Sequence, residues 1–262
     1  QGSVFFCLVG PHFDAHEFVA EAVHGGAVIL VVRRDRVSGM PSSICSSTTV
    51  IAVDDTEVAL AEAAAAWRRL HDVTVVGLTG SSGKTTTKEM VAAVLSTQAP
   101  TLATRGNLNN HLGVPLTLLR LDETHRYAVI EMGMNAPGEI DFLCQLANPD
   151  LGVVTTVGEA HTEGVGSIAG VARAKGELLR ALTKKQWGVF PSHTEERTML
   201  CQDVVADLDT IGCESEDGVR VLEYQETANG IVGRIKIDNG EYPIRLPMSG
   251  AHNLHNACLA LA

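Results

Sequence analysis

The sequence predicts an α/β fold in two parts: a small N-terminal α/β unit, then a larger unit built on a mostly parallel sheet with an antiparallel appendage. Three observations carry this. Short apolar runs alternate with stretches of helical apolar spacing over most of the chain, a pattern of crossover connections between parallel strands. A glycine-rich turn, Gly80-Ser81-Ser82-Gly83, joins one such run to one such helix. Late in the chain the rhythm changes to alternating strands joined by Asn229-Gly230 and Asn239-Gly240, which are hairpin-turn pairs.

The first unit is expected over residues 1–72. Residues 4–9 and 27–32 are apolar strand runs, 13–24 has helical spacing, and 38–49 is rich in Ser, Thr and Pro and reads as a loop. Residues 50–53 form a short β-branched strand, and 56–70 an Ala-rich helix with Asp55 or Thr56 as its N-cap. The second unit, 73–262, is expected to begin just past His71-Asp72. Strands are expected at 73–78, 127–131, 151–157 and 188–191, and helices at 84–95, 138–147, 168–182 and 195–206. The appendage comprises 219–224, 230–237 and 242–246. The chain opens on an apolar run and ends within a helical pattern, so both ends read as cut from something longer.

With 262 residues and 45% hydrophobic content, a packed core is expected and wholesale disorder is not. A formal charge of −11 makes the chain a poor generic binder of nucleic acid or anionic membrane. It can still hold phosphate, because a ring of backbone N–H groups attracts anions whatever the net charge. No apolar run reaches the ~18 residues of a membrane span, and the first residues lack the charged region and cleavage site of a signal peptide. The six cysteines include no CxxC pair. They read as small buried hydrophobes in a reducing, cytoplasmic compartment.

Thr79-Gly80-Ser81-Ser82-Gly83-Lys84-Thr85-Thr86 is the strongest local signal. Glycines let the backbone curl until N–H groups face phosphate oxygens. Lys84 supplies a cation for the terminal phosphates, and the Thr85 hydroxyl is a Mg²⁺ ligand in this pattern. Leu78 stands where the longer form of the motif has its first glycine, so this is the shorter GxxGKT form. Glu131 ends an apolar strand, where a carboxylate can hold the nucleotide's Mg²⁺; it reads equally as a surface acid capping a loop. His161 follows another strand end and has the chemistry of a metal ligand, although spacing alone favours a solvated loop histidine. Lys175, read locally, is a solvated helical lysine.

At this point the chain resembles the Mur ligases, and within them the MurF branch. The motifs that carry the resemblance span nearly the whole chain. They are Gly10-Pro11-His12-Phe13-Asp14-Ala15-His16-Glu17-Phe18 near the start, the 80–86 loop, Gly106-Asn107-Leu108-Asn109-Asn110-His111-Leu112-Gly113, Glu131-Met132-Gly133-Met134-Asn135, His161-Thr162-Glu163-Gly164, Ala172–Glu177 and Gly250-Ala251-His252-Asn253-Leu254-His255-Asn256. The resemblance implies a truncated UDP-sugar domain followed by a central ATPase domain. It implies ATP and Mg²⁺ as cofactors, with UDP-N-acetylmuramoyl-tripeptide and D-alanyl-D-alanine joined through an acyl phosphate in peptidoglycan precursor synthesis, by a monomer. It further implies that Gly80, Ser81, Ser82, Gly83, Lys84, Thr85 and Thr86 bind phosphate, with Asn107 and Asn110 nearby. Asn253 and Asn256 would lie near adenine, and Thr85, Glu131, His161 and a carbamylated Lys175 would hold metal. Lys84, Lys175 and His161 are the implied catalytic residues. A sister Mur ligase, a folylpolyglutamate-type ligase and a non-catalytic ATP-binding fragment are the rival readings. A GTPase switch is disfavoured because no Asn-Lys-x-Asp segment occurs.

Overall fold

The structure is a computed structural model and describes residues 2–159, 162–214 and 216–262, apart from the side chains at 45, 162 and 163. The chain divides into two compact units, Gln1–Ala66 and Trp67–Ala262.

In the first unit, β1 (Ser3–Phe6), β4 (Ala27–Arg33) and β5 (Thr49–Val53) form a three-stranded parallel sheet in the order β1-β4-β5. β2 (Val9–Gly10) and β3 (Phe13–Asp14) make a separate two-residue antiparallel ladder. The expected strand over 4–9 is therefore broken after Phe6, where Leu8 N turns back onto Phe6 O. The expected helix over 13–24 begins later, as a 3₁₀ turn at Ala15–Phe18 leading into α1 (Val19–His24). Asp14 caps that turn, its carboxylate accepting from His16 N. The Ser-rich stretch expected as loop contains a second 3₁₀ turn (Arg34–Gly39) and α2 (Ser42–Ser47). Its one large apolar residue within the helix, Ile44, docks into the core beside Leu30 and Val32, and that burial, worth roughly 1.5–3 kcal/mol, outweighs a poor helical composition. α3 (Thr56–Arg69) starts at Asp55, whose Oδ1 accepts from the N–H groups of Glu57 and Val58. Thr56 instead donates to Cys7 O.

In the second unit the elements run β6 (Thr74–Thr79), α4 (Lys84–Ser96), β7 (Thr101–Ala103), α5 (Gly113–Leu118), β8 (Tyr127–Glu131), α6 (Glu139–Ala147), β9 (Leu151–Val154), α7 (Thr162–Val165), α8 (Ile168–Arg180), β10 (Trp187–Pro191), α9 (Arg197–Leu200), β11 (Asp207–Gly212), β12 (Val219–Thr227), β13 (Gly230–Ile237), β14 (Gly240–Leu246) and α10 (Ala251–Leu261). The strands form one nine-stranded sheet in the order β14-β13-β12-β11-β10-β9-β6-β8-β7. It is parallel from β7 to β12 and antiparallel from β12 to β14. The hairpin strands are thus an edge of the main sheet rather than a separate piece, because Ile211 and Gly212 pair with Val219 and Arg220. α4 and α10 bury Val91, Ala92, Leu254 and Ala257 in one core, while α8 buries Ala172 and Leu179 against Val154 and Phe190 in another.

The helix expected at 195–206 is a single turn. It closes at Leu200 with Cys201 as its C-cap; Asp203 beyond it takes a left-handed backbone with φ of 61°, through which a helix cannot continue, and residues 207–212 form β11. Asp207-Leu208-Asp209 alternates only briefly before Thr210 and Ile211, so the strand carries a weak period-two signal. β7 and α5 also lie outside the expected elements.

The sheet order positions the site. β6 lies between β8 and β9: the chain runs from β6 to β7 and β8 on one side of it, then crosses from β8 to β9 on the other. In an open parallel sheet that reversal opens a crevice at the C-terminal strand ends. Leu78 pairs with Glu131 and Thr79 with Val154, so the three strands deliver their last residues to one rim.

Candidate active site

The phosphate loop leaves β6 after Thr79 and enters α4 at Lys84. Gly80 and Gly83 both have positive φ, 155° and 78°. At Gly83 an added Cβ would stand 2.6 Å from Asn256 Oδ1, so only glycine fits both the backbone and the space. The loop is braced from below by the segment after β9. Ser81 N donates to Thr156 O at 2.9 Å, Ser82 N to Thr156 Oγ1 at 2.9 Å, and Thr155 Oγ1 to Ser82 O at 2.5 Å. The N–H groups of Ser81 and Ser82 are therefore committed to the protein. An anion is left with the first turn of α4, whose opening N–H groups have no intrahelical partner and carry the positive end of the helix dipole. Lys84 Nζ donates to Gly80 O at 2.7 Å. Burial lowers its pKa and the charge of Glu131 opposes that shift.

Glu131 is the centre of the site. It is 2% exposed, so it is no surface acid. Thr85 Oγ1 donates to Oε2 at 3.3 Å, Asn109 Nδ2 donates to Oε1 at 2.8 Å, and its own N–H donates to Thr104 Oγ1 at 3.0 Å. Asn109 is itself fixed, because Gly133 N donates to Asn109 O at 2.7 Å. Among the described residues no group of three His, Cys, Asp or Glu side chains comes together to hold a metal. A cation here would instead take hard oxygens from Thr85 and Glu131 and the rest from phosphate and water, which is how Mg²⁺ is usually held. The donor set fits Mg²⁺ on that ground.

Lys175 lies on the inner side of α8 and is 1% exposed, which overturns the solvated-lysine reading. Burial, with the charge of Lys84 as second cause, brings its pKa from 10.5 down to about 7. Two residues on, Glu177 accepts from Gly138 N at 2.8 Å and Asp141 N at 3.0 Å, capping α6 and tying α8 to it. His161, expected opposite Lys175, lies outside the described residues.

The four expected asparagines divide. Asn256 is 4% exposed and abuts Gly83, which places it against the phosphate loop. Asn253 donates to Ser249 O at 2.7 Å and accepts from Asn256 Nδ2 at 3.4 Å. Asn110 spends its Oδ1 on Leu112 N and Gly113 N, capping α5. Asn107 is exposed, and its carbonyl accepts from Asn109 N. Thr86 is half-buried in the first turn of α4. The residue of this loop that reaches the carboxylate is Asn109, which sequence reasoning passed over. Its signal was its place between two nominated asparagines. A cavity of about 500 Å³ opens beside Lys84, lined also by Asn109, His111, Asn135, Glu139 and Phe142.

A parallel sheet with a glycine loop at its reversal point, a lysine and threonine opening the next helix and a buried carboxylate facing them define the phosphate-loop class of nucleotide-binding α/β proteins. The chain belongs to the Mur ligase family: the Mur ligase middle domain matches residues 78–262. It is 40% identical over 266 residues to the UDP-N-acetylmuramoyl-tripeptide–D-alanyl-D-alanine ligase of Haemophilus influenzae, covering 100% of this chain and 56% of that protein. The crystal structure of MurF from Acinetobacter baumannii superposes with a TM-score of 0.89 at 35% identity, covering 100% of this chain and 56% of that one. MurF from Thermotoga maritima, solved in complex with ADP, gives 0.85 at 28% identity, with 100% and 59% covered. The chain thus spans just over half the length of the relatives it matches.

Proposed function

We propose that the chain carries the ATP-handling part of a ligase that joins D-alanyl-D-alanine to UDP-N-acetylmuramoyl-tripeptide in peptidoglycan precursor synthesis, in the cytoplasm. The observation that carries this reading is Glu131, a buried carboxylate held between Thr85 of the phosphate loop and Asn109. In the reaction, the carboxylate ending the tripeptide attacks the γ-phosphorus of ATP. A new O–P bond forms as the β,γ-bridging bond breaks, giving an acyl phosphate and ADP. The amine of D-alanyl-D-alanine then adds to the acyl carbon, forms the C–N bond, loses a proton and expels phosphate.

This chain's residues serve that chemistry by position and charge, which dominate catalysis of phosphoryl transfer. The N–H groups opening α4 cradle the phosphates, and Lys84 neutralises charge on the transferred group. Thr85 and Glu131 hold Mg²⁺, which when bound offsets the charge of the phosphates. Asn109 holds Glu131 in orientation. Asn253 and Asn256 lie on the adenine side, Asn107 and Asn110 in the loop that carries Asn109, and His161 with Lys175 supports a second cation. A lysine with a pKa near 7 is in part an uncharged amine at neutral pH. That amine can attack CO₂, forming an N–C bond and releasing a proton, and the resulting carbamate is an anion suited to Mg²⁺. Among the described residues no helix is long and apolar enough to cross a membrane.

Calorimetric titration with ADP and Mg²⁺ tests the nucleotide reading. Phosphate release with each candidate acceptor tests the substrate assignment. Saturable nucleotide binding together with turnover on D-alanyl-D-alanine is the expected pair. Turnover on glutamate with a folate acceptor, or no nucleotide binding, refutes the proposal.

A further inference from the structure

Behind the site lies a third lysine. Lys88 is one turn beyond Lys84 on α4 and is 0% exposed. Its Nζ donates to Thr104 O at 2.7 Å and pairs with Glu89 Oε1 at 2.9 Å. Burying an ammonium costs several kcal/mol, and a methionine of similar volume packs without that cost. The lysine therefore needs a reason beyond filling space.

Thr104 supplies one. It follows the three-residue edge strand β7, the kind of segment that frays when nothing holds it. Its hydroxyl receives the N–H of Glu131 at 3.0 Å, and its own N–H donates to Val129 O at 3.0 Å. It also opens the loop that delivers Asn109 to Glu131. Pinning the carbonyl of Thr104 thus fixes two of the three contacts that orient Glu131, while the same helix carries the third, Thr85. α4 in this way holds Glu131 at its carboxylate through Thr85 and at its backbone through Lys88 and Thr104.

We propose that Lys88 is a positioning residue that acts through Thr104 to set Glu131 for a divalent cation. The inference rests on the nucleotide reading above. It is tested by titrating the chain with ADP across a Mg²⁺ series and again in EDTA. In Lys88→Met the half-saturating Mg²⁺ concentration should rise about tenfold, while metal-free ADP affinity changes by less than about twofold, as expected for a residue behind a metal ligand. Thr104→Val keeps Lys88 but removes the hydroxyl, and should reproduce the shift. Lys88→Arg keeps the charge and donors and should restore part of it. Equal losses with and without Mg²⁺, or an unshifted Mg²⁺ dependence, overturn the proposal. If Lys88→Met does not fold, Thr104→Val decides by the same criterion. A wild-type chain with no Mg²⁺-dependent ADP binding overturns the nucleotide reading and this inference with it. A Mg²⁺-dependent wild type beside unshifted variants overturns this inference alone.

Discussion

Lys175→Met should make the protein more stable. The native lysine sits at 1% exposure, and burial followed by the charge of Lys84 brings its pKa from 10.5 to about 7. That interval corresponds to at most about 5 kcal/mol of native-state penalty for keeping the ammonium charged. The sign follows from proton counting. Between about pH 7 and 10.5 the unfolded chain keeps a proton that the native lysine has released, so stability rises with pH through this window. Below about pH 7 both states are protonated and the whole penalty applies. Methionine has nearly the same shape and no charge, so it removes both the penalty and its pH dependence. The gain from Lys175→Met should therefore be largest near pH 6.5 and shrink by about 2–3 kcal/mol by pH 9. Urea unfolding of the two proteins in CO₂-depleted buffer at both pH values measures it. Destabilisation at both pH values, or a gain that does not change with pH, would refute the claim that a charged ammonium is buried there at cost.

Other outcomes follow from the same geometry. Lys84→Ala should weaken nucleotide binding, and in the full-length protein lower turnover by about 10²-fold or more, since it removes the cation that the proposed reading assigns to the phosphates; calorimetry and ADP release check it. Gly83→Ala should cost roughly 1–2 kcal/mol from its left-handed backbone alone. It should also displace Asn256, so nucleotide affinity should fall along with thermal stability. In the full-length protein, on the ligase reading proposed above, Lys175→Ala should lose ligation and regain part of it with added short-chain carboxylates, which replace the carbamate; no rescue at any concentration would count against carbamylation. His255 has its pKa lowered, first by burial and then by His193 and His252. Its neutral form is the native one, so its contribution to stability is complete above about pH 6.5 and is lost as pH falls below that value. His255→Asn should flatten that acid limb in a pH series of melting temperatures.

Much of this protein is determined locally. Gly80–Thr85 announces itself because a phosphate cradle needs glycines, a lysine and a hydroxyl at fixed spacing between a strand and a helix, and those constraints act over six residues. β8, read at 127–131, was found at those residues because an unbroken apolar run ending in an acid has few other structures open to it. Family-bearing motifs such as Asn107-Leu108-Asn109-Asn110 are likewise visible as strings. Which asparagine touches the carboxylate is not, since that depends on how the loop after β7 docks on Gly133. Lys175 and Lys88 make the same point more strongly. Both look like ordinary helical lysines in sequence, because burial is a property of the far side of a helix once the sheet is assembled, and charge burial leaves no local mark. Residues 207–212 lie outside every expected element for a related reason: their place is a hydrogen-bonded position beside β10, and a strand's partner is set by long-range pairing rather than by local preference. Local spacing thus determined the kind of chemistry. Only the packed sheet decided which side chains are brought to it, because a pKa, a metal ligand's orientation and a strand's partner all arise from neighbours distant in the chain.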